Sequence, residues 1–197
     1  MKISPRLALV IIASLFALPL VLAWLMYSGT IDYRPVETRN FGTLVQPPAP
    51  MLIEDVEKDN RVSVRLDELR EHWVVVYVAP DPCSERCLQD VTALRQVHRA
   101  AGRNQSRIRL LAVGRGAADR FGDLQAVYPA LMIAGEPGPG LATQLGEIAA
   151  LNSAAPERSL YLVDPLGNIM MFYAAGFDPN DLKKDLKRLL TWSKLDE

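Results

Sequence analysis

The sequence predicts an α/β sandwich domain preceded by one membrane-spanning helix. Three features lead to this prediction: an uncharged stretch near the N-terminus, a buried-strand pattern that alternates with helical patterns, and a leucine-rich amphipathic helix near the C-terminus. The 197 residues are 49% apolar and carry a formal net charge of −1. This balance excludes a disordered chain and a strongly basic nucleic-acid-binding protein.

The uncharged stretch is long enough to cross a membrane. Leu7–Met26 contains no charged residue, and a helix of about 20 apolar residues spans the hydrocarbon core of a bilayer. A cleaved signal peptide is the alternative, but its apolar region is usually shorter, and Trp24 and Tyr27 resemble an interfacial aromatic belt. We therefore expect an uncleaved membrane anchor.

Basic residues set the expected orientation of this anchor. Lys2 and Arg6 precede the span and no acidic residue does, so the positive-inside rule places the N-terminus in the cytoplasm. In a bacterium the rest of the chain would then lie in the periplasm, as a single-pass protein of the inner membrane. We divide the chain into a cytoplasmic N-terminus, a transmembrane helix, a proline-rich linker and a folded domain, at residues 1–6, 7–27, 28–50 and 51–197.

The folded domain opens with a βαβ pattern. Trp73–Ala79 is a continuous apolar, β-branched run, as expected of a strand that is covered on both faces of a parallel sheet. A helical pattern follows until Gly102, and Ile108–Val113 forms a second buried strand. Cys83 and Cys87 therefore lie where the first strand turns into the helix.

The remaining elements complete a thioredoxin-like α/β sandwich. Proline and glycine in the segment 164–168 predict the turn of an antiparallel hairpin. Asp178 is a predicted N-cap, with Pro179 in the first turn and leucines along one face of the helix that follows. The other predicted elements are helices at 117–127 and 140–150 and strands at 130–134, 159–163 and 169–173.

The two cysteines are the candidate reactive groups. If the helix begins near Cys83, its Cα atom and that of Cys87 lie about 6 Å apart, which suits either a disulfide or one shared metal ion. The helix N-terminus and Arg86 should favour the thiolate, so the pair is expected to react. Two soft thiolates suit Cu(I) better than zinc, which needs further ligands. An inert structural disulfide is the remaining interpretation.

The sequence resembles the Sco/SenC family from about Asn40 to Leu190. The resemblance rests on the single N-terminal span, the CxxxC segment at Cys83–Cys87, the segment Tyr128–Gly135 and the segment Tyr161–Gly167. This family comprises membrane-anchored thioredoxin-fold proteins that help to assemble the copper sites of cytochrome c oxidase. The resemblance implies that the two cysteines bind Cu(I) or cycle between dithiol and disulfide. It also implies an oxidase subunit or another assembly factor as partner.

The family's third copper ligand, a histidine ahead of the late strand, has no counterpart here. The equivalent position is Pro156, close to Arg158, and no histidine follows His98. His98 lies about 16 Å along the helix axis from Cys87, beyond ligand distance. We expect His98 and His72 to be surface residues.

Other interpretations stay open at this point. A third Cu(I) ligand would come from solvent, from the partner, or from Met170 or Met171, although a predicted strand position favours a core role for both methionines. The absence of the histidine also motivates an alternative function, that of a non-enzymatic scaffold of oxidase biogenesis whose cysteines form a structural disulfide. A peroxiredoxin-like peroxidase activated by Arg158 has only the fold to support it.

Overall fold

The computed structural model describes residues 4–28, 39–52, 69–115 and 117–193, apart from the side chains of 118, 119 and 123. The chain divides into two compact units, Met1–Arg39 and Asn40–Glu197. The sequence placed the start of the folded domain at residue 51, and the second unit begins earlier.

The first unit contains one long apolar helix, α1 (Pro5–Tyr27). The Ser4 hydroxyl accepts a hydrogen bond from the Leu7 amide and so caps the helix, and Pro5 occupies its first turn. No residue of α1 is buried, and its mean hydropathy reaches 2.6 over 18 residues. Pro19 lies inside the helix without ending it. The helix has the length and composition expected of a membrane span.

In its described residues, the second unit is a six-stranded sheet covered by helices on both faces. The strand order is β1-β6-β5-β2-β3-β4. Strands β2, β3 and β4 are parallel, whereas β5 and β6 form an antiparallel hairpin beside β2. The strands are β1 (Thr43–Pro50), β2 (Trp73–Val78), β3 (Ile108–Val113), β4 (Leu131–Ala134), β5 (Leu160–Val163) and β6 (Asn168–Tyr173). The helices are α2 (Glu85–Ala100), α3 (Ala117–Val127), α4 (Pro139–Leu151) and α5 (Pro179–Trp192), with a short 3-10 helix at Gly102–Arg107.

This architecture confirms the predicted thioredoxin-like sandwich. Strand β2 explains the continuous apolar run, because its alternate residues enter two different cores. Trp73, Val75 and Tyr77 pack with α2, α3 and α5 on one face, whereas Val74 and Val76 pack with α4 on the other. The final helix begins as predicted, because the Asp178 side chain accepts a hydrogen bond from the Asn180 amide at 2.8 Å.

Part of the predicted linker is a strand. Residues 43–50 form β1, which pairs antiparallel with β6 at the sheet edge through Thr43↔Phe172 and Pro50↔Asn168. The prolines in this segment suggested an extended tether, and they are tolerated in β1 because an edge strand leaves one row of backbone groups unpaired. The linker prediction was therefore wrong for residues 43–50, because the pairing partner is more than 100 residues away in sequence.

A buried carboxylate joins β1 to α5. Asp185 is 1% exposed, and its Oδ2 accepts hydrogen bonds from the amides of Phe41 and Gly42 at 2.9 and 3.0 Å. The Tyr173 hydroxyl donates a third hydrogen bond to the same oxygen at 2.8 Å. A Cβ atom at Gly42 would lie 2.5 Å from the Tyr173 ring, so only glycine allows this close approach. Asp185 therefore holds the chain entering β1 against the C-terminal helix.

His98 is buried, and its predicted surface position was wrong. Only 4% of His98 is exposed, because the 3-10 helix and the segment before β4 cover the end of α2. Nε2 lies 3.1 and 3.2 Å from the carbonyl oxygens of Gln105 and Ile108. Nε2 must therefore carry the proton, which leaves Nδ1 to accept a hydrogen bond from the Tyr128 hydroxyl. The His98 and Tyr128 rings also meet edge to face.

Acidification should destabilise the domain through His98. Burial lowers the pKa of His98 below its ordinary value, so the unfolded chain takes up the proton more readily than the folded one. The contribution of His98 to stability is then complete above about pH 6.5 and is lost as the pH falls toward the lowered pKa. Urea unfolding of the full chain in detergent, between pH 7.5 and 5, should show this slope. His98→Gln should flatten it, whereas His72→Gln should not; equal slopes in both variants would contradict the assignment.

Candidate redox site at Cys83 and Cys87

The cysteine pair lies at the carboxyl end of β2, where a short loop leads into α2. Ser84 is the N-cap of α2, and its hydroxyl lies 3.5 Å from the Cys87 amide, which donates to it. Cys83 therefore precedes the helix, and Cys87 lies in its first turn. This placement agrees with the position predicted from the βαβ pattern.

The two cysteines are joined by a disulfide bond. Their Cα atoms lie 5.4 Å apart, close to the separation expected from helical spacing. Cys87 is completely buried in the core beneath α2, whereas Cys83 is partly exposed and only borders that core. The site therefore presents one sulfur that a partner can reach and one that it cannot.

The surroundings of the disulfide are charged. The positive end of α2 faces the loop that carries Cys83, which stabilises a thiolate when the bond is reduced. Glu85 in the first turn of α2 is paired with Arg120 of α3, so its negative charge is partly offset. Arg86 is exposed beside it.

A polar network missed at the sequence level lies one helical turn beyond Cys87. Asp90 receives two hydrogen bonds from the Arg158 guanidinium, at 2.9 and 3.2 Å, and a third from the Tyr77 hydroxyl at 3.0 Å. The bond to Asp90 raises the pKa of Arg158, and burial raises the pKa of Tyr77. The one sequence-level signal was Asp90 at three residues after Cys87, which puts both on the same helix face.

The loop at residues 156–158, where the sequence resemblance placed the counterpart of the histidine, contacts this network. The Arg158 amide donates a hydrogen bond to the Val78 carbonyl at 2.7 Å, and Arg158 has a φ of 61°, a left-handed conformation that directs the loop past the end of β2. Arg158 is thus held by Asp90 in a structural pair, which does not support the peroxidase interpretation.

The described residues supply no complete metal site. No group of three or more histidine, cysteine, aspartate or glutamate side chains among them is arranged to hold an ion. Met171 is fully buried and pairs with Leu162, which in turn pairs with Val75. That register puts Met171 about 10 Å from the carboxyl end of β2, so it is a core residue, and Met170 packs partly against the same core.

A cleft opens beside the loop that carries Cys83. It has a volume of about 280 Å³ and lies between the carboxyl ends of β2 and β3 and helix α4. Val78 and Leu145 form part of its apolar lining, while Asp81 and Glu157 are exposed acidic residues that also line it. Asp81 is two residues before Cys83, so the cleft and the disulfide share one loop.

A comparison with protein families identifies the domain. Residues 73–193, more than half of the chain, match the transmembrane-like, thioredoxin-like, C-terminal domain family. The chain belongs to this family. The matched segment begins with β2 and ends just after α5. It therefore includes both cysteines, Asp90 and Arg158. No curated protein matches the chain significantly in sequence.

Solved structures with the same fold include Sco proteins and a DsbF homologue. Sco1 from Thermus thermophilus is 17% identical, with 79% of this chain and 99% of that one covered and a TM-score of 0.52. Copper-bound ScoI from Arabidopsis thaliana is 13% identical, with 77% and 99% covered and a TM-score of 0.52. The DsbF homologue from Corynebacterium diphtheriae is 18% identical, with 80% and 97% covered and a TM-score of 0.53. The resemblance to Sco proteins is therefore confirmed in the fold.

Proposed function

We propose that this protein is a membrane-tethered thiol-disulfide exchange protein that assists cytochrome c oxidase assembly through Cys83 and Cys87. One observation carries the proposal: the disulfide combines a reachable sulfur at a helix N-terminus with a buried one behind it. A purely structural bond closing so short a loop would contribute little stability. The accessible sulfur is instead suited to attack or to be attacked.

The exchange steps follow from this asymmetry. A partner thiolate attacks the Sγ of Cys83, the bond to Cys87 breaks, and Cys87 leaves as a thiolate that takes up a proton. A second partner thiolate then attacks the mixed disulfide and releases Cys83. The partner loses two electrons and two protons, which the cysteine pair gains. The reverse sequence reduces a partner disulfide, with Cys83 as nucleophile and Cys87 as the resolving thiol.

The cellular setting of the proposal rests on α1 and on the resemblance to Sco proteins. Among the residues that the structure describes, one apolar helix has membrane-spanning length, which fits a single-pass membrane protein. Lys2 and Arg6 favour a cytoplasmic N-terminus with the redox domain in the periplasm. The periplasm is oxidising, which agrees with a disulfide as the resting state. An oxidase subunit or another assembly factor with paired thiols is the proposed partner.

Single-cysteine variants test the exchange. Both Cys83→Ala and Cys87→Ala lose the disulfide, so each is the stability control of the other. We expect Cys87→Ala to trap a partner as a mixed disulfide on Cys83, because the resolving thiol is missing, and Cys83→Ala to trap none. The complexes would be counted on non-reducing gels of the full chain expressed in cells. Equal trapping by both variants, or none by either, would refute the exchange and favour a scaffold with a locked disulfide.

Cu(I) handling is the second proposed function, favoured by the likeness to copper-bound ScoI. In the reduced protein the two thiolates would hold Cu(I) as cargo, with a third ligand from solvent or the partner. Because both sulfurs are needed, either alanine variant should lose one-to-one Cu(I) binding in competition with a chromophoric chelator. Binding that survives in both variants would place the copper elsewhere.

A further inference from the structure

The cleft beside Asp81, with a volume of about 280 Å³, is large enough to hold one side chain. Its lining is mainly apolar: Val78 and Ala79 from the end of β2, Leu145 and Ala142 from α4, and Pro137 from the loop before it. Gly114 at the end of β3 forms part of the wall, and a Cβ atom there would lie 2.5 Å from the Ala79 carbonyl oxygen. Since ligands of α/β sheets bind beyond the carboxyl ends of the strands, the cleft has a suitable location.

The charged residues that line the cleft are mainly acidic. They are Asp81, Glu136 and Glu157, with one basic residue, Arg115, which is ion-paired with Glu136. Three carboxylates and one guanidinium leave a formal charge of −2. Asp81 and Glu157 are both exposed, so a segment that enters the cleft meets this charge directly. A cationic segment is therefore the complementary occupant.

The cleft and the reactive sulfur can serve one bound chain. The Cα atoms of Asp81 and Cys83 are at most about 7.6 Å apart, because two peptide units separate them. An extended peptide covers about 3.5 Å per residue. A side chain held in the cleft would therefore place a cysteine two or three residues away within reach of Cys83.

We infer that this cleft binds the cysteine-bearing segment of the exchange partner, with an apolar side chain in the cleft and a lysine or arginine against Asp81 and Glu157. The inference rests on the proposed exchange function and adds the chemistry of the partner: an extended cationic segment with an apolar residue two or three positions from its cysteine. The loop 156–158 serves both parts of the site, since Pro156 and Glu157 line the cleft while Arg158 holds α2.

Two synthetic peptides test this inference. Both peptides carry one cysteine as a mixed disulfide with 5-thio-2-nitrobenzoate. The first peptide has leucine two residues before the cysteine and lysine next to the cysteine. The second peptide has glycine and glutamate at those two positions. Reduced full-length protein in detergent should react about tenfold faster with the first peptide. Cys83 attacks the peptide sulfur and releases the chromophore, and Cys87 then releases the peptide thiol. Bis(2-hydroxyethyl) disulfide, which is small and uncharged, reports the reactivity of the cysteines themselves.

Matched substitutions on α4 locate the binding site. Ala142→Phe fills the cleft and should remove the part of the preference that comes from leucine, whereas Ala150→Phe, on an exposed position of the same helix outside the cleft, should retain the full preference. A double variant, Asp81→Asn with Glu157→Gln, should remove the part of the rate preference that comes from the peptide's lysine, without changing the volume of the cleft. Ala150→Phe should react with the small disulfide at the wild-type rate, and for every other variant the rate with each peptide is divided by that variant's own rate with the small disulfide.

The possible outcomes distinguish failure of this inference from failure of the proposed exchange function. Equal rates with both peptides, while the small disulfide reacts, would overturn the proposed role of the cleft in binding the partner and leave the exchange function standing. A full preference that survives both Ala142→Phe and the double variant would also overturn that role. Failure to react with any disulfide would overturn both the inference and the exchange function.

Discussion

Replacing Asp185 by asparagine should lower the free energy of unfolding by about 3 kcal/mol, the largest loss we expect from any substitution considered for this chain. The Oδ2 atom accepts three hydrogen bonds, two of them from backbone amides, and hydrogen bonds to a charged group contribute about 1.5–3 kcal/mol each. An amide keeps one acceptor oxygen but loses the charge and introduces donors. Arg188 Nη1 lies 3.5 Å from Oδ1, a long contact that compensates little.

A second aspartate on the same helix provides the matched control. Asp181 is partly exposed and pairs with Lys184 at 2.9 Å, so Asp181→Asn should cost less than about 1 kcal/mol. Urea unfolding of the full chain in detergent compares the two variants. Amide hydrogen exchange in β1 should accelerate in Asp185→Asn alone, since β1 loses its attachment to α5. A similar loss of stability in both variants would show that Asp185 does not fasten the strand.

The parts of the fold that the sequence predicted are those specified by neighbouring residues. The run Trp73–Val78 forms β2, and the cap at Asp178 begins α5. Strand β1 was missed because its prolines favour an extended chain in a linker and in an edge strand alike, and only the distant pairing with β6 distinguishes the two. Asp185 follows two lysines on an amphipathic helix and therefore looked like a solvated position.

The candidate site was predictable to the same extent. The strand-turn-helix signal placed Cys83 and Cys87 correctly, because that signal is local. The exposed and buried sulfurs could be distinguished only once α2 was seated on the sheet. Asp90 and Arg158 are 68 residues apart in sequence, and no local pattern links them. The sequence suggested Arg158 as an activating residue for peroxidase chemistry, but its ion pair with Asp90 gives it a structural role.

Breaking the pair between Arg158 and Asp90 should destabilise the domain and alter the cysteines as well. Arg158→Met should lower the free energy of unfolding by about 2–3 kcal/mol, because it leaves a largely buried carboxylate without its guanidinium. The side chains of Asp90 and Arg158 are only 15% and 24% exposed, so solvent cannot replace the lost partner fully. The double variant that combines Asp90→Asn with Arg158→Met should recover part of the lost free energy of unfolding, since no unpaired charge remains. Arg120→Met, which breaks the exposed pair with Glu85, should cost less than about 1 kcal/mol.

If the pair between Asp90 and Arg158 also controls the reduction of the disulfide, its role is more than structural. In Arg158→Met the unpaired Asp90 carboxylate lies one turn from Cys87 and disfavours a thiolate there. The disulfide should then become harder to reduce, measured as the equilibrium constant with glutathione at pH 7, and the double variant should return it toward the wild-type value. Arg120→Met should leave that constant unchanged. A shift in Arg158→Met that persists in the double variant would mean that the loop before β5, and not the charge of Asp90, controls the cysteine pair.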